Sequence, residues 1–424
     1  MKIAIFASGS QGDVQPYLAL GAGLRRAGHE VRLITHAPYA NTARGLGLEF
    51  HELQGNPQDL MDSPKMRELL ARGNFLAINA HTSKELQRVN TLWAQTGLEA
   101  CAGVDLILAG VGGLFTGLSV AEKLDVGFVF APVFPFTPTT AFQGPLFPSA
   151  VSKLGGWANR LSHTAIRQIM WQGARAATNN ARVRVLGLPP LSAPYSSPRF
   201  NQFKTLYGFS PSVIPQPADW TNAVVTGYWF LEASADWTPP ADLETFLSVG
   251  EPPVFIGFGS MGSRDPQGTA RLVLEAVRAS GKRAILQSGW GGLRADDLPE
   301  NVHMIGHVPH AWLFKRVAAV VHHGGAGTTA AGLRAGLPTL ITPFFGDQPF
   351  WGERVAALGV GPAPIGRKRL TVQNLAAALE TLTTDAAMRD RAARLGERIR
   401  AEDGIGKAVE EIGKLEGQLA ATNR

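Results

Sequence analysis

Three short apolar runs in this chain each end in a glycine turn that leads at once into a helical pattern: "ASGSQGDVQP" (Ala7–Pro16), "GFGSMG" (Gly257–Gly262) and "HHGGAGTT" (His322–Thr329). A buried strand that turns directly into a helix is the repeating unit of a parallel sheet, whose strands need crossover connections and are covered on both faces. The first turn belongs to a βαβ opening, with apolar runs at Lys2–Ala7 and Glu30–Thr35 around a helical pattern from Val14 to Ala27. Helix-period patterning then runs from Asp59 to Gln95, and "VDLILAG" from Val104 reads as another buried strand. A second series alternates with helices at Pro252–Ser260, Arg283–Ser288, Val302–Gly306, Ala318–Val321 and Pro338–Pro343. At 424 residues the chain exceeds one ordinary domain. The expected fold is therefore α/β, with two tandem doubly wound (Rossmann-like) parallel-sheet domains facing across a cleft. The first domain is expected over residues 1–215, and a linker over 216–240, where prolines and aromatics such as "WTPPADL" replace clean periodicity. The second domain spans 241–404, followed by a last helix at 405–424.

Composition narrows the class. Hydrophobic residues at 45% and charged residues at 17% supply enough apolar surface for folded cores. Cys101 is the one cysteine, so no internal disulfide or thiolate metal site is expected, and a reducing, cytoplasmic setting fits best. The N-terminal apolar run is too short for a signal peptide, and no window holds 18 uninterrupted apolar residues, so neither a leader nor stable membrane insertion is expected. The formal charge of +6 comes from 40 basic and 34 acidic residues, read as spread along the chain without the basic runs of a nucleic-acid groove. An anionic small ligand suits that charge, and so does a solvated basic surface.

Glycine lets a ligand approach the backbone, and the first amides of the following helix carry partial positive charge, which suits a phosphate. "GFGSMG" matches the dinucleotide fingerprint literally, but the next strand ends in Gln287–Ser288 rather than in the acid that would hold a ribose hydroxyl. No glycine turn carries the lysine of a P-loop. "HHGGAGTT" is more specific: an imidazole beside amides 325–328 and the hydroxyl of Thr328 or Thr329 forms a diphosphate cradle without metal. The alternative is a tight turn with Thr328 as helix cap and both histidines in the core. "PFFGDQ" (Pro343–Gln348) follows the next strand on the same sheet edge, where a carboxylate and an amide can grip sugar hydroxyls.

With these motifs the sequence resembles the family-1 nucleotide-sugar glycosyltransferases of GT-B fold, especially the branch with sterol glucosyltransferases and glycopeptide-antibiotic glycosyltransferases. The likeness runs through "GSQGDVQP", "VTGYWF", "PPVFIGFGSM", "GHVPHAWLF", "HHGGAGTT", "AGLP" and "PFFGDQPFWG", nearly the whole chain. It implies an acceptor-binding first domain, a donor-binding second domain and a last helix that crosses back to the first. It implies that His323 contacts the donor diphosphate, with Gly325, Gly327 and Thr328 as cradle and Ser260, Ser10 and Gly12 reaching it from the other turns. Asp347 and Gln348 fall on the pair that binds hexose hydroxyls, and backbone groups around Val308 on the base-recognition segment. Plant members carry Trp at His307, Gln at His310 and a ribose-binding Glu at Ala331; Trp290 is a candidate stacking surface in their stead, and equally a core residue.

Displacement of a diphosphate by an alcohol needs charge stabilisation of the leaving group and a base for the incoming hydroxyl. Asp13, at the end of the first glycine turn, is the expected base, ionised at neutral pH by an ordinary carboxyl pKa and a helix N-terminus. The simpler role for Asp13 is to cap the helix from Val14. One base implies inversion, and the chain contains no Asp-x-Asp pair, so neither a metal nor another cofactor is expected. The acceptor surface is expected among Phe134, Phe136, Phe142, Trp157 and Trp171, for which ordinary core packing is the competing reading. The resulting expectation is transfer of a hexose, glucose from UDP-glucose first among them, to a hydroxyl of a sterol, triterpenoid, flavonoid or macrolide by a monomer or homodimer. A nucleotide-sugar 2-epimerase of the same fold and a non-catalytic glycosyltransferase-like partner are the alternatives.

Overall fold

The computed structural model describes residues 1–55, 75–192, 203–232, 237–258, 266–287, 298–344 and 346–422. The chain divides into two compact units, Met1–Gly144 with Val151–Leu231 and Asp403–Arg424, and Pro145–Ala150 with Glu232–Glu402.

Unit 1 carries strands β1 (Lys2–Phe6), β2 (Glu30–Thr35), β3 (Glu49–Glu52), β4 (Leu106–Ala109), β5 (Gly127–Phe130), β6 (Lys204–Tyr207) and β7 (Ala223–Val225). They form one sheet in the order β3-β2-β1-β4-β5-β6-β7, every pair parallel. Its helices are α1 (Gln11–Arg26), α2 (Ala40–Gly45), α3 (Phe75–Ala100), α4 (Leu114–Leu124) and α5 (Gly156–Ala181). Alternation along β1 splits its apolar run between two cores. Ile3 and Ile5 join Tyr17, Leu18 and Leu33 on the α1 face, while Ala4 and Phe6 join Val89, Trp93 and Ile107 on the α3 face. A strand covered on both sides has no polar positions to spare, which is why these runs are continuous rather than alternating.

Unit 2 carries α6 (Ala241–Ser248), β8 (Val254–Gly257), α7 (Pro266–Ser280), β9 (Ala284–Gln287), β10 (Val302–Ile305), α8 (His310–Leu313), β11 (Ala319–His322), α9 (Ala326–Ala335), β12 (Thr339–Ile341), α10 (Gln348–Ala357), α11 (Val372–Thr384) and α12 (Ala386–Ala401). Its sheet runs β10-β9-β8-β11-β12, again all parallel. The last helix, α13 (Gly404–Thr422), belongs to unit 1, where Ala408 and Ile412 complete the α1-side core. Gly23 of α1 admits that contact: a Cβ there would lie 2.2 Å from Ile405 Cγ2.

The expected α/β class with two parallel sheets is what the chain forms. Four strands of the first sheet were not expected. β3 has an exposed or half-exposed "EFHE" pattern at the sheet edge, and β6 and β7 are only four and three residues long within the proline-rich region. β5 is hidden inside one long apolar stretch. β7 also falls within 216–240, the expected linker, yet it pairs with β6 as the sheet's last strand.

In each sheet the strand order reverses at one point. In unit 1 the switch lies between β1 and β4, and in unit 2 between β8 and β11. Crevices at the carboxyl ends of such strands are where open α/β sheets bind ligands.

Candidate functional site

At the unit 2 switch point the register pairs His322 with Gly257, so the turn after β11 starts beside the end of β8. The chain leaves β11 through Gly324, at φ +98°, where a Cβ would fall 2.7 Å from Ile341 Cγ2 and 3.1 Å from the Gln348 backbone oxygen. Only glycine meets both demands. Gly325 then caps α9 with no side-chain hydrogen bond, and the first turn of α9 holds no acidic residue. The first backbone bond of the turn is Thr329 N–H to Gly325 O, 2.9 Å, so the earlier amides have no intrahelical acceptor. Thr329 is buried with its hydroxyl donating to Gly325 O, which leaves half-exposed Thr328 as the hydroxyl at the turn's surface. The helix therefore starts at Ala326, and Thr328 is not its cap.

His323 sits at the mouth of this turn. Burial lowers its pKa, against a backbone hydrogen bond at Gly257 that raises it, so the ring is neutral at neutral pH. Its Nδ1 is buried without a partner among the described residues, while a Cβ on Gly325 would lie 2.7 Å from its Nε2. His322, fully buried, accepts from Gly324 N–H at 3.0 Å through Nδ1. His310 stacks on Phe314 with centroids 4.5 Å apart, and burial holds it at about 4. One imidazole thus lies at the turn while His322 and His310 are buried in the core.

The same turn rests on the amino end of α10. Gln348 is buried and its Oε1 accepts from Phe344 N–H at 2.7 Å. Asp347 caps α10, and its Oδ2 accepts from Trp351 Nε1 at 2.8 Å. The structure thus brings His323, Gly325, Gly327, Thr328, Asp347 and Gln348 together at one sheet edge. Val308 is buried, with its side chain in the Phe255 and Phe314 core, so only its backbone is a candidate contact. Ser260 and Trp290 lie outside the described residues.

In unit 1 the turn after β1 has a different occupant. Asp13 is the third residue of α1, and its Oδ2 accepts from Ser10 N–H at 2.9 Å and from Ser10 Oγ–H at 2.8 Å. Gly9, at φ +131°, lies beneath it: a Cβ would come 2.5 Å from Asp13 Oδ2. Ser10, expected to reach a donor phosphate, donates its hydroxyl hydrogen bond to Asp13, and Gly12 lies in the same turn. Asp13 is solvent-exposed as a residue, while desolvation around its carboxyl shifts the pKa above its ordinary value against the pull of the Ser10 hydrogen bonds. The expected unperturbed carboxylate is corrected accordingly.

Two supports of this turn were not anticipated. Buried His36 donates from Nδ1 to Leu53 O at 3.0 Å, and its Nε2 lies 3.3 Å from Ser8 Oγ and accepts from Gly9 N–H at 3.4 Å. After β4, Gly110–Gly113 lets the backbone close on Ser8: a Cβ on Gly112 would sit 2.6 Å from Ser8 O. The available signal was the "AGVGG" string directly after a predicted strand.

The aromatic residues separate. Trp171 is fully buried, its Nε1 donating to Ser192 O at 2.9 Å, and Phe136 is buried edge-on to Phe130 at 5.3 Å. Both are core rather than acceptor contacts, because no ligand reaches a side chain enclosed on all sides. Phe134 and Phe142 are half-buried in unit 1, with Phe142 edge-on to His163 at 5.7 Å. Trp157 is 68% exposed on α5.

Residues 3–143 match the model of the glycosyltransferase family 28 N-terminal domain, and residues 287–412 that of the erythromycin biosynthesis protein CIII-like C-terminal domain. The sterol 3-beta-glucosyltransferase of Emericella nidulans is 38% identical over 97% of this chain, which spans 30% of that protein. The sterol 3-beta-glucosyltransferase of Arabidopsis thaliana is 37% identical over 97% of this chain, which spans 67% of it. The chain thus covers about a third of the fungal relative and two thirds of the plant one. Among solved structures, the calicheamicin glycosyltransferase CalG4 superposes with a TM-score of 0.64 at 19% identity, covering 99% of each chain. The kitacinnamycin glycosyltransferase gives 0.66 at 19% identity, covering 97% of this chain and 98% of its own. These likenesses show the GT-B fold class with its two Rossmann-like sheets. On the length and level of identity to the plant protein, the chain belongs to the glycosyltransferase family that contains the sterol 3-beta-glucosyltransferases.

Proposed function

We propose that this chain transfers a hexose, glucose by preference, from a nucleotide diphosphate sugar to a hydroxyl of a hydrophobic acceptor of sterol type, with inversion and without a metal. The observation that carries the reading is the unit 2 sheet edge, where an acid-free helix start, the neutral His323 and the Asp347–Gln348 pair converge. Open amides at the start of α9 suit a diphosphate and stabilise it as it leaves. A neutral imidazole adds one hydrogen bond without the salt sensitivity of a full charge. Asp347 and Gln348, one helix start away, suit sugar hydroxyls.

Asp13 serves in this reading as the base. Both of its cap bonds fall on Oδ2, so Oδ1 has no partner among the described residues. A pKa raised by burial brings a carboxylate closer to the range in which it takes a proton efficiently. A single base acting opposite the leaving group gives direct displacement and inversion. A sterol acceptor is favoured by the names of the relatives, both sterol 3-beta-glucosyltransferases. UDP is preferred over dTDP as the donor nucleotide, although one solved neighbour at 19% identity, SsfS6, is complexed with thymidine diphosphate.

The test is incubation of the full chain with UDP-glucose or dTDP-glucose, a panel of sterols and polyphenols, and EDTA, read by mass spectrometry for hexose addition. Hexose on a sterol from UDP-glucose is the expected product. Hydrolysis or epimerisation of the donor with no acceptor product would overturn the reading.

A further inference from the structure

The formal charge of this chain is not spread evenly, contrary to the overview its composition suggests. From Val126 to Ala218 there is no Asp or Glu, against eight Lys or Arg, while the rest of the chain, with 32 basic and 34 acidic residues, is close to neutral. Exposed apolar side chains concentrate in the same stretch. Of the seven large ones exposed among the described residues, six fall between Leu146 and Val183.

Helix α5 organises this surface. Trp157, Leu161 and Ile169 are 68%, 57% and 59% exposed, and at about 100° per residue they fall within an arc of about 120°. Leu154, 62% exposed, precedes them in the turn before the helix. Ala158, inside that arc, and Ser162 and Ile166, beside it, are buried, the last two against the Gly144 segment. Lys153 before the helix, Arg160 beside the arc, Arg175 on the same line as Trp157 five turns on, and Arg184 past the helix end are exposed and have no carboxylate partner among the described residues. By contrast Arg182 is buried and paired with Glu122 at 3.0 Å.

We propose that this face of α5 is a docking surface for an anionic phospholipid bilayer, on which the helix lies in the interface plane. An amphipathic helix with Trp and Leu on one side and Lys or Arg at its edges is the pattern that binds such interfaces. Tryptophan settles at headgroup depth, and long basic side chains reach phosphate while their stems cover apolar surface. No described helix is long and apolar enough to cross a membrane, so the contact is peripheral. A second copy of the chain is the poorer occupant, since pairing two acid-free faces sets like charges against each other. The inference does not rest on the donor site, because lipid binding needs no nucleotide sugar.

The experiment is co-sedimentation of the full chain with vesicles of phosphatidylcholine alone and of an equal mixture of phosphatidylcholine and phosphatidylserine. Wild-type protein is expected to sediment with the mixed vesicles and to be released by salt. Trp157→Ser with Leu161→Ser should weaken the partition by about tenfold or more, and Lys153→Glu with Arg160→Glu should do so at low salt. Unchanged circular dichroism and UDP binding in both double variants separate a lost surface from a lost fold or a lost donor site. Equal binding to both vesicle types, binding to neither, or wild-type binding by the Trp157/Leu161 variant overturns the proposal. So does a concentration-dependent dimer in gel filtration that Leu161→Ser abolishes, which assigns the face to a second copy.

Discussion

The two glycine turns at the switch points, Ala7–Asp13 in unit 1 and His322–Thr328 in unit 2, have the same backbone plan and opposite electrostatics. Each follows a buried parallel strand, passes through a glycine of positive φ, and opens a helix. In unit 1 the positive helix start is already occupied by Asp13 of the same chain. In unit 2 the corresponding place, Thr328, is a half-exposed neutral residue, and no side chain caps the helix. One turn is filled by its own carboxylate; the other has no side-chain cap and no acid in its first turn. A common backbone plan thus gives a turn filled by its own carboxylate in one unit and an uncapped turn in the other, through the residue at the third helical position.

The strongest way to break the comparison is to neutralise the self-filled turn. Asp13→Asn keeps the size of the side chain and an oxygen for Ser10. If Asp13 is the base, hexose transfer should fall about a hundredfold to ten-thousandfold, while UDP affinity by calorimetry stays at the wild-type value. Thermal stability should hold, because the amide oxygen can still accept from Ser10 N–H and Oγ–H. A variant that transfers hexose at the wild-type rate removes Asp13 from the mechanism.

Acid should act on the two turns with opposite sign. The Asp13 pKa is raised in the fold, so the cost of its charge is present at neutral pH and is relieved as pH falls through that pKa. The unit 2 histidines are lowered, His310 to about 4 and His322 well below the usual value. Their contribution is complete above the ordinary histidine range and is lost as pH falls from about 6.5 toward about 4, on the order of 3 kcal/mol for His310. His163 of unit 1, also held at about 4 by burial, adds to the same loss away from its turn. Urea denaturation across this window should show falling stability, and His310→Phe should flatten part of the fall. A flat profile in the wild type would mean that the imidazoles are not kept neutral by the fold.

The open turn can be tested by converting it to the closed kind. Thr328→Asp places a carboxylate where unit 1 has Asp13. It should add about 0.3–1 kcal/mol of stability as an acid in the first turn of a helix, and weaken UDP binding by about tenfold or more through competition for the same amides. Gain in one measurement with loss in the other is the diagnostic result. Unchanged UDP affinity would place the diphosphate elsewhere.

Legibility in the sequence followed burial. β1, β2, β4 and the five strands of the second sheet are readable because the strands are covered on both faces, as with Ile3 and Ile5 on one side of β1 and Ala4 and Phe6 on the other, and leave continuous apolar runs. β3, β6 and β7 are not, since an edge strand such as Glu49–Glu52 has solvent on one side and strands of three or four residues carry no period. Within the site, His323 and Asp347–Gln348 could be named because their residue types are unusual beside glycine. Their surroundings could not: that Gln348 supports the Gly324 turn, or that His36 reaches Ser8 from the neighbouring strand, depends on strand order rather than on spacing. Trp171 and Phe136 show the same limit, because an aromatic string has one composition whether it lines a pocket or fills a core.

The smallest expected effect tests whether the self-filled turn tunes its carboxylate. Ser10→Ala removes the hydroxyl donor at 2.8 Å and retains the backbone donor at 2.9 Å. Loss of a cap hydroxyl costs about 0.5–2 kcal/mol. The Ser10 bonds are also the forces that hold the Asp13 pKa down against burial, so removing one moves it further up. A base must be ionised to act, and the acidic limb of the transfer rate against pH should therefore move to higher pH, with the plateau changed little. A change confined to stability, with the limb in place, would leave Ser10 as a helix cap and nothing more; a shift of the limb would tie the filled turn of unit 1 to the chemistry.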